Sequence, residues 1–187
     1  HVAGDIFQFQ GGEAHNDGNF AYNCLADADP NDVDGSFMST GFSIMNDGDA
    51  PIDFWITMTM QLDGPAGVPG TWAGSSSFTV TGIDGEVSTI GDAPLTEALF
   101  DGNTVETFFD SDYSLFANGD GSSNSDSQNS DGVLGAPVTD TIAVTFHFSL
   151  SAGAELTHTG AIGVIPAPAS LALLGIAGLA GRRRRRG

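Results

Sequence analysis

Residues 52–62, IDFWITMTMQL, alternate strictly between two sets of side chains. One set is wholly apolar and consists of Ile52, Phe54, Ile56, Met58, Met60 and Leu62. The other consists of Asp53, Trp55, Thr57, Thr59 and Gln61. Successive side chains of a β-strand point to opposite faces, so this pattern predicts a strand with one buried face and one wet face. Such a strand must pack against a second layer, which favours a layered β fold.

Other segments show the same alternation. Residues 36–46 and 139–150 predict further strands, and shorter ones are expected at 5–10, 77–83, 86–90, 105–116 and 155–164. The turn sequences at 46–51 and at Asp84-Gly85 predict hairpins. We therefore expect an all-β, antiparallel β-sandwich of Ig-like or jelly-roll kind. Its predicted core is Phe54, Ile56, Met58, Phe78, Val80, Ile142, Val144, Phe146 and Phe148.

Four segments depart from this pattern. Residues 93–100 predict a short helix, because Pro94 suits a first helical turn. Residues 118–132 contain no apolar side chain and predict a loop or a disordered segment. Residues 24–35 predict an acidic turn, and residues 63–74 predict a loop rich in glycine and proline. Gly11-Gly12 is expected to end the first strand.

Charge is distributed unevenly along the chain. All 24 acidic residues precede Val164, and all five basic residues follow it, so residues 1–163 carry a formal charge of −24. Salt bridges to Lys or Arg are impossible within that body, and nucleic acid is excluded as a natural partner. Cys24 is the single cysteine, so no intramolecular disulfide can form.

An acidic turn suggests calcium. Five oxygen-bearing side chains lie within eight residues: Asp27, Asp29, Asn31, Asp32 and Asp34. Ca²⁺ takes six to eight oxygen ligands in flexible geometry, so this turn is a candidate Ca²⁺ site, with a solvated acidic turn as the alternative. A second, less charged candidate comprises Asn118, Asp120, Asn124, Asp126, Asn129 and Asp131.

Signals for catalysis are weak. The chain contains neither H-E-x-x-H nor G-x-S-x-G. His147 and His158 lie on consecutive predicted strands, and they would meet if those strands formed a hairpin. The body has no permanent side-chain cation for an oxyanion or a phosphate. We therefore expect a non-enzymatic protein, with a glycoside hydrolase as the least favoured alternative because carboxylates are abundant.

Two tryptophans suggest another function. Trp55 is predicted on the wet face of the clearest strand, and Trp72 in a loop. Exposed indole rings can stack on the apolar faces of sugars. Trp55 and Trp72 are therefore candidate glycan-binding residues, and the alternative is that they pack inside the protein.

The C-terminal stretch, residues 164–187, has three parts. Pro166, Ala167, Pro168, Ala169 and Ser170 form a stiff, extended piece. An apolar, glycine-containing segment follows, for which we expect a helix. The chain then closes with five consecutive basic residues: Arg182, Arg183, Arg184, Arg185 and Arg186. Basic residues after an apolar segment stay cytoplasmic, so residues 169–181 are expected to enter a membrane. As a helix, residues 166–181 would span roughly 24 Å, less than the roughly 30 Å of a hydrocarbon core.

This tail resembles the PEP-CTERM sorting signal of bacterial exported proteins. The likeness is carried by the proline tripeptide, the short apolar run and the terminal arginines, with Ala167 where the motif has Glu. It implies processing by an exosortase-like membrane enzyme and delivery, after a transient stay in the inner membrane, to the cell surface or extracellular matrix. Export also implies an N-terminal signal peptide, which we expect to have been removed or omitted ahead of His1.

The sequence therefore predicts two units. Residues 1–163 are expected to form an acidic, secreted β-sandwich, and residues 164–187 a sorting and anchoring tail. The leading hypothesis is an exported, non-enzymatic protein of the cell surface or matrix. The alternative is a carbohydrate-binding module that acts in extracellular polysaccharide.

Overall fold

The computed structural model describes residues 7–14, 20–29, 35–62, 70–119 and 121–166. All regular secondary structure in these ranges is β-strand, arranged as two antiparallel sheets. Sheet A contains, in spatial order, β1 (Phe7–Ala14), β2 (Phe20–Asp29), β3 (Ser36–Asn46), β12 (Glu155–Pro166), β5 (Gly70–Thr81) and β10 (Ser123–Leu134). Sheet B contains β4 (Ile52–Gln61), β6 (Gly85–Ser88), β7 (Thr96–Phe100), β8 (Asn103–Phe108), β9 (Ser114–Ala117) and β11 (Thr141–Leu150).

The two sheets pack face to face, which confirms the predicted all-β sandwich. In sheet B, β11 pairs with β4 along its whole length on one side and with β7 and β6 on the other. In sheet A, the last strand, β12, lies between β3 and β5. The predicted C-terminal helix falls outside the described residues.

The core between the sheets is rich in aromatic rings. Phe146 is fully buried, and its ring centroid lies 5.0 Å from that of Phe42 and 6.4 Å from that of Phe78, both in edge-on geometry. Such edge-on pairs add about 0.5–1.5 kcal/mol to the gain from burial. Most predicted core residues are buried, whereas Phe54, Ile56 and Met58 are only half-buried because β4 lies at the side of sheet B.

The predicted hairpins are wrong, because the short turns connect opposite sheets. β3 lies in sheet A and β4 in sheet B, and the same holds for β5 and β6. The crossing after β3 is fixed by the buried Asn46. Its Nδ2 donates to the carbonyls of Ala50 and Leu150, both at 2.9 Å, and its Oδ1 accepts from Gly48 N at 3.0 Å. The Asn46 backbone N–H also donates to the carbonyl of Ala154 at 2.9 Å, and the Asn46 carbonyl accepts from Gly153 N–H at 2.8 Å.

The predicted helix at 93–100 is also wrong. Its second half is strand β7, which pairs with β11 and β8. Thr96, Ala98 and Phe100 alternate inward and are buried, so pairing and burial outweigh local helix preference. The turn into β8 is formed by Asp101 and Gly102, both at positive φ.

The Asp101 carboxylate ties this turn to the start of β11. It accepts the backbone N–H groups of Thr139, Asp140 and Thr141 at 2.7–3.0 Å. Slight burial acts to raise the pKa of Asp101, but these hydrogen bonds outweigh it and lower the pKa below its ordinary value.

The predicted loop at 118–132 is largely strand β10, which pairs with β5 from Ser123 to Leu134. Most of its side chains are exposed, and several form hydrogen bonds to β8, to β9 or to the segment between those strands. Gln128 Oε1 accepts Phe109 N–H at 2.8 Å, and Tyr113 Oη donates to Asp126 Oδ2 at 2.9 Å. Ser130 Oγ donates to Glu106 Oε2. Polar side chains thus close this side of the sandwich.

Two further local predictions fail near the N-terminus. Gly11-Gly12 lies inside β1 instead of ending it, and residues 24–29 of the predicted acidic turn belong to strand β2. In both places the backbone pairs with a neighbouring strand, and that pairing overrides the local turn preference.

Candidate functional site

The outer face of sheet B carries an exposed aromatic ring, and no other aromatic side chain whose burial the structure describes is more exposed. Trp55, on β4, is 63% exposed. Along β4 the side chains from Ile52 to Thr59 alternate between half-buried and exposed, as predicted. Trp55 is therefore exposed because the alternation places it outward, and its predicted position is confirmed.

Polar residues of β4 and β11 surround this ring in register. Trp55 pairs with His147, and the next outward pair on one side is Asp53 with Ser149. On the other side Thr57 pairs with Thr145, and their Oγ1 atoms lie 3.1 Å apart. Paired residues of an antiparallel ladder have Cα atoms about 4.5–5.5 Å apart, so these groups adjoin the indole.

This arrangement can bind a ligand that is apolar on one side and hydroxylated at its edge. The indole offers a flat apolar surface, and the Thr57 and Thr145 hydroxyls can donate or accept hydrogen bonds. Asp53 adds a carboxylate acceptor. We call the outward side chains Asp53, Trp55, Thr57, Thr145, His147 and Ser149 the Trp55 face.

Trp72 does not join this face, and the prediction that it is exposed in a loop is wrong. It lies on β5 with 7% of its surface exposed, and its ring meets Phe100 edge-on at a centroid distance of 6.3 Å. A Cβ on Gly132 of β10 would lie 2.5 Å from Trp72 Nε1, so the glycine gives the ring room. The strand begins at Gly70, and alternation from there turns Trp72 inward.

The two histidines also lie apart, because β11 and β12 belong to different sheets. His147 is on the outer face of sheet B, whereas His158 is 1% exposed between the sheets. Thr40 Oγ1 lies 3.3 Å from His158 Nε2, and a Cβ on Gly160 would come within 2.9 Å of the same nitrogen. Burial lowers the pKa of His158 to about 3, although a backbone hydrogen bond to Ser77 opposes part of the shift.

The predicted calcium sites are only partly described. Asp27 and Asp29 lie on β2, in register with Ser39 and Phe37, whereas Asn31, Asp32 and Asp34 fall outside the described residues. In the second candidate, Asp120 is likewise outside, and Asn124 donates to the carbonyl of Phe116 at 2.9 Å. Across the described part of the chain, no three His, Cys, Asp or Glu side chains are grouped to hold a metal ion.

A depression of about 410 Å³ lies over β5, β10 and β12. It is lined by Ala73, Gly74, Ser75, Asn129, Ser130, Asp131 and Ala161. Asp131 is the one carboxylate among these lining residues, whereas glycoside hydrolysis ordinarily uses two. The depression therefore lacks the carboxylate pair that this chemistry needs.

Of the predicted sorting-signal residues, Pro166 is described, whereas residues 167–170 and 182–186 fall outside the described ranges. Pro166 itself is the last residue of β12 and pairs with Gly70, two residues beyond the predicted domain boundary at 163–164. No helix within the described ranges is long and apolar enough to cross a membrane.

Comparison with known proteins yields distant structural likenesses. No protein-family model matches the sequence, and no curated protein matches it. TmCBM61, solved in complex with beta-1,4-galactotriose, aligns at 10% identity and a TM-score of 0.31, over 83% of this chain and 86% of that one.

Two viral proteins align at similar levels. The enzymatically active domain of bacteriophage CBA120 tailspike protein 4 is 14% identical at a TM-score of 0.28, over 87% of this chain and 18% of its own. The infectious bursal disease virus Gx strain structure is 12% identical at a TM-score of 0.30, over 88% and 56%. Likenesses this distant assign no function to the chain.

Proposed function

We propose that this protein is a carbohydrate-binding β-sandwich and that the Trp55 face is its binding surface. The observation that carries the proposal is the 63% exposure of the Trp55 ring on the outer face of a sheet. An indole left in water forgoes the gain of about 25 cal/mol per Å² that burial of apolar area brings, so this exposure suits a ligand surface.

The neighbours of the ring support a sugar in particular. A pyranose has an apolar face of C–H groups and a rim of hydroxyls. The indole fits the first, and the hydroxyls of Thr57, Thr145 and Ser149 together with the Asp53 carboxylate fit the second. A single aromatic platform predicts weak binding to one sugar and stronger binding to polymers that present many.

Binding of the full chain to an array of polysaccharides tests this proposal. We expect at least one polymer to bind, and Trp55→Ala to lower its affinity about tenfold or more, equivalent to roughly 1.4 kcal/mol. Phe37→Ala is the matched control, because Phe37 is an exposed aromatic on sheet A, 39% exposed. An array without signal, or an unchanged affinity of Trp55→Ala, would refute the proposal.

We further propose that the chain is exported and sorted by its tail, from the sequence of residues 164–187 alone. In a host with an exosortase-like enzyme, intact-mass analysis should find mature protein without Arg182–Arg186. Replacing Pro166 and Pro168 with Ala should leave uncut precursor in the inner membrane. Native protein that keeps its arginines would contradict the sorting signal and favour a weak membrane anchor.

Calcium binding by the segment from Asp27 to Asp34 stays a prediction. If the segment binds calcium, the midpoint temperature of unfolding should rise more in Ca²⁺ than in monovalent salt of equal ionic strength. Equal shifts would mean that salt only screens the repulsion among the carboxylates.

A further inference from the structure

We propose that the Trp55 face takes uncharged polysaccharides and rejects polyuronates, the polymers with a carboxylate on every sugar. This inference rests on the carbohydrate binding proposed above and names the ligand class.

The face itself holds a fixed acceptor and no fixed cation. Asp53 is exposed and lies two residues from Trp55 on the same side of β4, about 7 Å along the strand. Glu97 on β7 pairs with Thr145, so a second carboxylate flanks the face. A sugar hydroxyl can donate to either group, whereas a uronate cannot donate from its ionised carboxylate.

Recognition of a carboxylate ordinarily uses Arg or Lys, whose N–H groups donate to both of its oxygens. The first such residue in this chain is Arg182, and the body before Val164 carries a formal charge of −24. A polyuronate therefore meets repulsion at long range as well as at the site. Salt should weaken the long-range part, with a screening length of about 10 Å at 0.1 M.

Pairs of polymers that differ only in charge can separate the effect of charge on binding from the effect of sugar shape. Polygalacturonate and alginate are each compared with their carboxyl-reduced, uncharged counterparts, using the full chain in chelator so that calcium cannot bridge carboxylates. We expect the uncharged member of a bound pair to bind at least tenfold more tightly at low salt. The ratio of the two affinities should narrow as salt is added. Trp55→Ala should weaken binding of the uncharged polymer.

A local substitution tests the role of the face. Asp53→Asn should raise the affinity for polyuronate relative to its uncharged counterpart by about threefold, the effect of one charge removed at close range in water. Asp131→Asn makes the same change of charge on β10 of sheet A and should leave the ratio unchanged. Asp131 is exposed there, which makes it a matched control.

The outcomes distinguish the two proposals. Polyuronate that binds as tightly as its uncharged counterpart, through Trp55, would overturn the charge inference and leave carbohydrate binding intact. Absence of binding to every polymer, the polysaccharide array included, would overturn both. Equal effects of Asp53→Asn and Asp131→Asn would also contradict the local role of the face.

Discussion

β4 and β10 are both outer strands, and they attach to the sandwich in opposite ways. Each pairs along its length with one neighbour, β4 with β11 and β10 with β5. The inward side chains of β4 are apolar and pack against the core, and Met60 is buried. Those of β10 are polar from Asn124 to Ser130, and only Leu134 near its end packs against the core. Ser130 Oγ donates to Glu106 of β8, and Gln128 Oε1 accepts Phe109 N–H just after that strand.

The difference teaches that a strand can be held at the side of a sandwich when most of its inward face is polar. Each hydrogen bond contributes only about 0.5–1.5 kcal/mol net, but leaving its buried partner unpaired costs about 1–3 kcal/mol. β10 should therefore be specified by several small contributions, whereas β4 depends on a few large ones.

The largest expected effect is on the apolar side. Phe146 of β11 is fully buried and pairs with Ile56 of β4. Phe146→Ala should lower the free energy of unfolding by about 3–5 kcal/mol, measured by denaturant titration, because it leaves a cavity. A loss below about 1 kcal/mol would mean that burial does not hold β4 and β11 in place.

The same apolar interior contains a titratable group, His158. Because its folded pKa is lowered to about 3, the unfolded chain takes up a proton first as the pH falls below about 6.5. Stability is therefore full above pH 6.5 and declines toward pH 3. By pH 5 the free energy of unfolding should have fallen by about 2 kcal/mol more than that of His158→Gln, in which residue 158 takes up no proton on unfolding. Parallel pH profiles of the two proteins would contradict this.

A smaller effect is expected on the polar side. Gln128→Ala removes the acceptor of Phe109 N–H and should cost about 1 kcal/mol. Asn129→Ala, on the exposed face of the same strand, should stay within about 0.5 kcal/mol. Equal losses from both substitutions would mean that the Gln128 bond does not help to hold β10.

The smallest effect on stability should come from Trp55→Ala. Its ring is mostly in water, so the free energy of unfolding should change by no more than about 0.5 kcal/mol. Denaturant titration alongside the binding assay would show whether lost binding reflects the face or the fold. A large loss of stability would mean that Trp55 supports β4 as part of the core.

The sequence predicted β4 because burial of one face leaves a period of two, and it placed Trp55 correctly for the same reason. It failed at β10, where the strand is held by polar bonds that leave no such period. It failed at Trp72 because small or polar residues, Gly74 and Ser76, occupy the neighbouring inward positions of β5 and hide the alternation.

The pairing of strands was harder to predict than the strands. Turn residues specify that the chain bends, but at 47–51 and at Asp84 they do not specify whether the next strand joins the same sheet. That choice depends on groups distant in sequence, such as the carbonyl of Leu150 that accepts from Asn46. The composition of the Trp55 face could not be predicted for the same reason, because the β4–β11 register joins residues about 90 positions apart.

The position of β12 in the middle of sheet A has a consequence for the order in which the chain can fold. Val164 pairs with Ser36 on one side and Trp72 on the other, so β3 and β5 are joined only through the last described strand. Contacts this distant in sequence form slowly. A chain that emerges N-terminus first holds two incomplete half-sheets until residue 166 is free. Sheet A can therefore be completed only after the chain through Pro166 is available to pair.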